Sequence, residues 1–501
     1  MTPHARRGWL GVALLVALAG PAKVPAVGFA DLESSVQKYV LPNGLTFLVL
    51  ERHTAPVFAF RTFVDAGGVD EVPGISGIAH MFEHMAFKGT QSIGTTNYAA
   101  EAESLDAVDR AWDVVAKERA RGYAADSTAL KRDLDRFAAA QEGARQYVVS
   151  NDFSKVLEEQ GVVGLNAFTG TDYTQYLYAL PSNRLELWAR LEADRLTQPV
   201  LREFYKERDV VQEERRFGES SAQGRLFYAF INAAFQAHPY GIGTIGFSSD
   251  LKAITRADAR EFFAKHYTAP NITIAVVGDV KFDEVRRLAD KYFGGVSSAP
   301  KPAPVRTVEP EHNAEVRLEL IEDAVQMVMM GYHIPSRFDP DWRAYELLAD
   351  ILGSGRSSRF YERLVKQDKV AAQVFTGAGF PGSKYPSLLL IGGVVSKDAT
   401  PEQVEEELDQ EMQRLIDEGP TAGELAKVKT MNKADFIRGL RGSLGLAGQL
   451  ALFEGQMGDY HKLFDYLDEI DRVTTADIQR AAAKVLVKKN RVVGIIRKPA
   501  S

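Results

Sequence analysis

Hydrophobic and polar positions along this chain alternate between two periods. Gln37 to Leu50 reads as strand, Asn43-Gly44 turn and strand, and Val57 to Asp65 as a further strand. A glycine-containing loop follows. Then Ile75, Ile78, Ala79, Met81, Phe82, Met85, Ala86 and Phe87 outline a buried helix. Gly74-Ile-Ser76-Gly77 supplies its start, with Ser76 as the candidate N-cap. Between about 100 and 155 the period is helical again. Leu105, Val108, Trp112 and Val115 are followed by a break at Arg121-Gly122 and then by Leu130, Leu134 and Phe137, which predicts a helical hairpin. Later, Val316 to Ile321 and Val325 to Ile334 read as strands. Trp342 to Leu352 reads as a helix carrying Leu347-Leu-Ala-Asp-Ile351.

The pattern also repeats. Ile254-Thr-Arg-Ala-Asp258 opens a segment running through Phe262, Lys265 and Asn271 into Ile272 to Val277. Val473-Thr-Thr-Ala-Asp477 opens a matching one through Ala481, Lys484 and Asn490 into Arg491 to Ile496. The offset is a constant 219 residues, and each copy reads as a capped amphipathic helix followed by an apolar strand. So long a period predicts an α+β protein built as a tandem duplication. Each of the two similar domains has a mostly antiparallel sheet flanked by helices. The helix at Trp342 stands where the helix at Ile78 stood, and it has no histidine. Pro300, Pro302, Pro304 and Pro310 mark a linker over 297–312 between a first domain at 31–296 and a second at 313–501. The hairpin, about 100–155, has no counterpart in the second copy. It reads as an insertion whose charged face is solvated or serves as a lid.

Composition narrows the chemistry. The 501 residues contain no cysteine, which excludes disulfides and thiolate metal ligands, so a bound zinc must be held by histidine and carboxylate. The formal charge is −7 and no basic cluster stands out, so nucleic-acid binding is not expected. Residues 1–30 read as a signal peptide: Arg6 and Arg7, an apolar run from Trp9 to Leu18, and small residues in Gly28-Phe29-Ala30 ahead of a cleavage site after Ala30. A membrane anchor is the rival reading. Cleavage would remove three positive charges and no acid, taking the charge from −7 to −10. No later stretch is apolar enough to span a membrane. The expected location is the bacterial periplasm or the extracellular medium.

The buried helix at Ile78 carries His80, Glu83 and His84 in the order H-x-x-E-H. Histidines four apart project from one helix face and can share a zinc ion. Glu83 beside them can act as general base, the arrangement of the inverted zincins. Three incidental polar residues on a helix are the bland alternative. They fit an apolar segment poorly, because buried ionisable groups need partners or a metal.

A catalytic zinc wants a third protein ligand, and composition does not choose it among 67 acids. Asn166-Ala-Phe-Thr169, with Asp172 and Thr174 after it, and Glu207-Arg-Asp-Val-Val-Gln-Glu-Glu214 resemble segments of the pitrilysin-like metallopeptidases. That family includes insulin-degrading enzyme and the mitochondrial processing peptidase, and the resemblance spans essentially the whole mature chain. It implies one zinc per chain, with Glu214 as third ligand, Glu83 catalytic, and Glu207 as an additional active-site carboxylate two helical turns earlier. An exposed Glu207 paired with Arg208 or Arg202 is the alternative, and Glu213 is the rival to Glu214. Asn166, Ala167, Phe168 and Thr169 are implied to form an edge strand to which a peptide substrate adds by backbone pairing; an ordinary sheet strand is the alternative. His238-Pro-Tyr240 reads as structural.

The sequence departs from that family in the second domain. Many members carry an Arg and a Tyr there, seven apart, which bind the substrate carbonyl or the oxyanion. In the matching stretch, Leu364 to Ala372, Val365 and Ala372 stand in their places. Arg359, Arg363 or Lys366 substitutes locally, or a homologous partner subunit without H-x-x-E-H supplies the pair; a homodimer is the remaining arrangement. Gly353 to Ser358 would face the chamber between subunits, or else simply end a helix. The reading is a zinc endopeptidase acting on peptides or short unfolded polypeptides. A non-catalytic peptide-binding or scaffold subunit of the same fold is the alternative.

Overall fold

The computed structural model describes residues 29–499, so all but the last two residues of the expected signal segment lie outside it. In the first half, six strands form one sheet: β1 (Val36–Val40), β2 (Thr46–Glu51), β3 (Val57–Val64), β4 (Val163–Thr169), β5 (Thr174–Pro181) and β6 (Ile272–Gly278), in the order β1-β2-β6-β3-β5-β4. Only the β2–β6 pair is parallel. Five strands form the second sheet: β7 (Val316–Ile321), β8 (Met327–Ile334), β9 (Ala371–Phe380), β10 (Ser387–Val395) and β11 (Arg491–Arg497), in the order β7-β11-β8-β10-β9. Strand for strand this repeats β2-β6-β3-β5-β4, down to the single parallel pair, β7–β11. The fold is α+β with two similar halves.

Six helices of the first half bear on the site or its support: α1 (Ile78–Met85), α2 (Tyr98–Ala120), α3 (Ser127–Arg145), α4 (Phe204–Glu219), α5 (Ala222–Ala234) and α6 (Arg256–His266). Their equivalents in the second half include α7 (Trp342–Gly353), α8 (Ala422–Arg441), α9 (Ser443–Met457) and α10 (Thr475–Val485). The repeated Thr-x-x-Asp signature is a pair of matching capping boxes. Thr255 and Asp258 open α6, and Thr474 and Asp477 open α10.

The two faces of the first sheet are served by different halves of the chain. Phe58, Phe60, Tyr176, Tyr178 and Val276 pack against Met81, Phe82 and Met85 of α1 and against Trp188. Leu48, Leu50, Phe63 and Val277, on the opposite face, pack against Leu446, Leu450 and Phe453 of α9, from the second half. The converse holds for the second sheet. Val492 and Ile496 of β11 and Met329 of β8 are covered by Leu226, Phe230 and Ala234 of α5, from the first half. Each half thus lends one helix to the other.

The stretch predicted as a hairpin forms α2 and α3, which lie against α4. Phe137 packs edge-on against Tyr205 of α4, Trp112 lies tilted against the same ring, and the Arg208 guanidinium lies 3.9 Å from the Trp112 ring centre. Arg256 reaches from α6 to Asp109 (2.7 Å) and Asp106 (2.9 Å) on α2. The hairpin therefore braces α4 from the side. The proline-rich stretch is also held in place: Lys301 pairs with Asp65 at 2.8 Å, and the Glu309 carboxylate accepts the backbone N–H groups of Gln236, Ala237 and His238. Among the described residues no helix is long and apolar enough to cross a membrane.

Candidate metal centre

The helix bearing the H-x-x-E-H residues starts differently from expectation. Its N-cap is Gly77 rather than Ser76, in a left-handed conformation (φ 90°) and without a capping side chain. A Cβ at Gly77 would stand 2.5 Å from the Ile245 carbonyl oxygen, so glycine alone fits there. Ser76 is drawn away instead: its hydroxyl donates to Asp250 (2.7 Å) and accepts the Phe247 N–H (2.9 Å). The cap comes from a distant carboxylate, Glu71, which accepts the N–H groups of Gly77 (2.7 Å) and Ala79 (2.8 Å). Four of the five apolar residues α1 buries, Ile78, Ala79, Phe82 and Met85, lie on the side away from the histidines, which are left half-buried at a cleft.

His80 and His84 stand with ring centres 4.9 Å apart and planes perpendicular. Helix α4 crosses α1 and brings Glu214 to them: its Oε2 lies 3.8 Å from His80 Nε2 and 3.6 Å from His84 Nε2. One ligand atom from each of the three residues falls within 4.8 Å of the others. Tetrahedral zinc with bonds of about 2.0–2.2 Å holds its ligand atoms about 3.3–3.6 Å apart, so a small inward movement of these groups would complete a shell of two imidazoles and a carboxylate. The donor set therefore fits zinc. Glu213, the rival, points to solvent and pairs with Arg216 at 2.8 Å.

Glu207 lies two turns before Glu214 on the same face of α4. Its Oε2 is 3.5 Å from His84 Nδ1, the nitrogen opposite the one facing Glu214. Its other oxygen pairs with Lys88, a residue that sequence reasoning passed over although it follows His84 by one helical turn. Neither expected partner is used. Arg208 donates to the Ile254 carbonyl, and Arg202 is consumed by Glu101 and the carbonyls of Lys88, Thr90 and Ile93. Burial works against ionisation of Glu207. The hydrogen bonds and charges of His84 and Lys88 nevertheless hold its carboxyl down at about 2. The bond to Glu207 raises the His84 pKa, whereas burial lowers that of His80 and favours its neutral imidazole.

Asn166 to Thr169 lie on β4, which pairs with β5 on one side only and forms the sheet edge, running beside α1. Asn166 is exposed, Ala167 is buried, and Phe168 and Thr169 are half-buried. A cavity of about 460 Å³ lies against His80, Glu83 and Glu214 and is walled by Phe168 and Thr169 of β4, Phe227 and Tyr228 of α5, Phe380 at the end of β9 and Pro381 in the turn after it. Of these walls only Phe168 and Thr169 were signalled by the sequence; Phe227, Tyr228 and Phe380 were not, and Phe380 sits about 300 residues from His80. The turn is locked onto the first half: Thr171 donates to the Pro381 carbonyl (3.0 Å), and Asp172 accepts the N–H groups of Ser383 (2.7 Å) and Lys384 (3.0 Å). His238 is structural, as read: it is buried and its Nδ1 accepts the Tyr240 N–H.

Local substitution for the missing Arg/Tyr pair finds no support. Arg359 forks onto Glu424 (2.7 and 3.0 Å), Arg363 pairs with Asp368 and Glu407, and Lys366 pairs with Glu362. Gly353 to Ser358 is a helix-ending turn, closed by the Ser354 hydroxyl on Asp350 and the Ser358 hydroxyl on the Gly355 carbonyl.

Residues 47–138 match the family profile described as Insulinase (Peptidase family M16), and residues 253–432 match the Peptidase M16 inactive domain. The zinc protease PqqE of Helicobacter pylori is 27% identical over 483 residues, covering 94% of each chain. An uncharacterized zinc protease of Mycobacterium leprae is 25% identical, covering 92% of this chain and 91% of its own. Among solved structures, a protease from Helicobacter pylori superposes with a TM-score of 0.76 at 26% identity, over 92% of this chain and 99% of that one. The periplasmic protease PqqL from Escherichia coli shares the fold, with a TM-score of 0.67 at 16% identity; this chain covers 47% of its length.

Proposed function

The chain belongs to peptidase family M16, and on that premise we propose that it is an exported zinc endopeptidase of peptides and short unfolded segments. One observation carries the reading. His80, His84 and Glu214 converge with ligand atoms inside 4.8 Å of each other, and the cavity beside them is bordered by Glu83 and by an unpaired strand edge.

Zinc held by these three residues would supply a Lewis acid and lower the pKa of a water toward neutrality. The remaining steps belong to the chain. β4 offers Asn166 to Thr169 to an extended peptide, which pairs through its backbone and so brings a carbonyl to the cavity with little demand on side chains. Glu83 accepts the proton released by the attacking water and returns it to the departing amine. Glu207, fixed by Lys88, holds His84 by its Nδ1 and so orients the nitrogen turned toward Glu214.

A homologous partner subunit supplies the oxyanion donors. What supports this is the inventory of the second half. Val365 and Ala372 stand where the family carries its Arg and Tyr, the nearby cations are engaged elsewhere, and Phe380 and Pro381 bring no charge to the cavity. The profile described as inactive matches residues 253–432, most of which lie in the second half, in keeping with an M16 half that has no H-x-x-E-H. The site stands open, with the Glu214 side chain 49% exposed, as a half-chamber awaiting a cover would be.

The test is turnover of a quenched peptide by the chain alone and by the chain co-expressed with its neighbouring homologue, each with and without Glu83→Gln. Cleavage that needs both Glu83 and the homologue is expected. A complex without Glu83-dependent cleavage overturns the enzyme, and full activity of the isolated chain overturns the partner.

A further inference from the structure

Helix α1 is only eight residues long, yet it carries both histidines, and nothing in its own first turn caps it. What holds its start is Glu71. This carboxylate is 3% exposed, and among the described residues no cation lies within ion-pairing distance of it. Its two oxygens are used separately, Oε2 on the Gly77 N–H and Oε1 on the Ala79 N–H, the residue before His80. A serine or asparagine cap could satisfy one such N–H with far less desolvation. A carboxylate bridging two fixes the direction in which the helix leaves Gly77.

The segment that presents Glu71 is itself attached to the substrate edge. The Gly68 N–H donates to the Gly170 carbonyl (3.2 Å) and the Val69 N–H to the Thr171 carbonyl (2.8 Å), in the turn immediately after Thr169 of β4. One short connection therefore runs from the end of β4, through residues 68–71, to the helix holding His80. We infer that Glu71 is a positioning residue that sets the metal-bearing helix in register with the strand edge where a peptide would lie. The inference rests on the proposed zinc-peptidase reading. Asp250 holds the preceding loop independently, accepting Gly74 N–H, Ser76 N–H and the Ser76 hydroxyl, so the fold keeps a second anchor when Glu71 is changed. Burial pushes the Glu71 carboxyl well above the ordinary range, against the pull of its two N–H donors.

The test compares wild type with Glu71→Gln and Glu71→Asp. Glutamine keeps size but puts an NH2 group against an N–H; aspartate keeps both oxygens. Zinc affinity by chelator competition, kcat and KM on a quenched peptide, and melting temperature in excess chelator are measured together. Glu71→Gln is expected to weaken zinc binding by about 10–100-fold, as loss of a group supporting a ligand does. It should lower kcat/KM as well, both by more than any fall in metal-free melting temperature accounts for; Glu71→Asp should recover part of the zinc affinity. Unchanged zinc affinity in Glu71→Gln overturns the inference, and so does an affinity loss that merely follows a loss of metal-free stability. A wild-type chain that takes up no zinc overturns the metal reading beneath it, which the wild-type titration alone reveals.

Discussion

The same pair of crossed helices occurs twice in this molecule, with opposite treatment of its polar groups. In the first half α1 meets α4, and His80, His84 and Glu214 face one another at 3.6–3.8 Å without closing conventional hydrogen bonds. In the second half α7 meets α8. There Asp350 accepts the Asn432 side-chain N–H (2.6 Å) and the Ser354 hydroxyl (2.6 Å), while Asn432 also accepts the Tyr466 hydroxyl (3.4 Å). The second crossing is satisfied from within. The first leaves three ligating groups gathered and unfinished, at a cost in stability that a bound cation would offset. Where a duplicated fold leaves polar groups incomplete in one copy and complete in the other, the incomplete copy is where a ligand belongs.

The comparison breaks most sharply at the ligands. His84→Ala should abolish both zinc uptake and peptide cleavage, read by metal analysis of the dialysed protein, and chelation of wild type should do the same reversibly. Glu83→Gln should lower kcat by about 10²–10⁴-fold, the usual worth of a general base, with zinc content unchanged. Glu207→Gln should weaken zinc binding by about 10–100-fold in chelator competition. The satisfied crossing should answer only in stability: Asp350→Ala should cost about 1–3 kcal/mol in denaturant unfolding, because it removes the acceptor of the Ser354 hydroxyl and one of the two acceptors of the Asn432 amide, and should leave zinc affinity alone. The smallest effect lies at the start of α8. Glu424, bonded to Arg359 and closing a capping box with Thr421, has a folded pKa of about 2, against an ordinary value near 4.5. Burial opposes that shift and the Arg359 bond leads it. Its contribution is present above about pH 4.5 and lost as pH falls toward 2, so Glu424→Gln should flatten the fall in melting temperature across that window.

Much of this was legible from residue order. The 219-residue offset announced the duplication because the capping residues Thr255 and Thr474 act within one turn of chain, where sequence and structure speak the same language. His80 and His84 were legible for the same reason, four residues being one turn of helix. Glu214 needed a family resemblance, and helical spacing then set it on the face of Glu207 and Glu213 off it; in the structure Glu214 faces the histidines across the crossing of α1 and α4 and Glu213 pairs with Arg216. The N-cap went to Gly77 rather than Ser76 because the Ile245 backbone and Asp250, about 170 residues on, compete for that loop. The replacement donors sought in Arg359, Arg363 and Lys366 were absorbed by acids on neighbouring helices, which no local spacing could foretell.

The exchanged helices also set the order in which this protein can be finished. The outer face of the first sheet, with Leu48, Leu50, Phe63 and Val277, is complete once β6 is made, yet its cover is α9. About 165 residues separate Gly278 from Ser443. At a synthesis rate of about 5–20 residues per second that is roughly 10–30 s of bare apolar sheet. The chain therefore leaves the ribosome with its first half unsealed. On the export proposed above, that interval is available for the polypeptide to be captured and threaded before it folds.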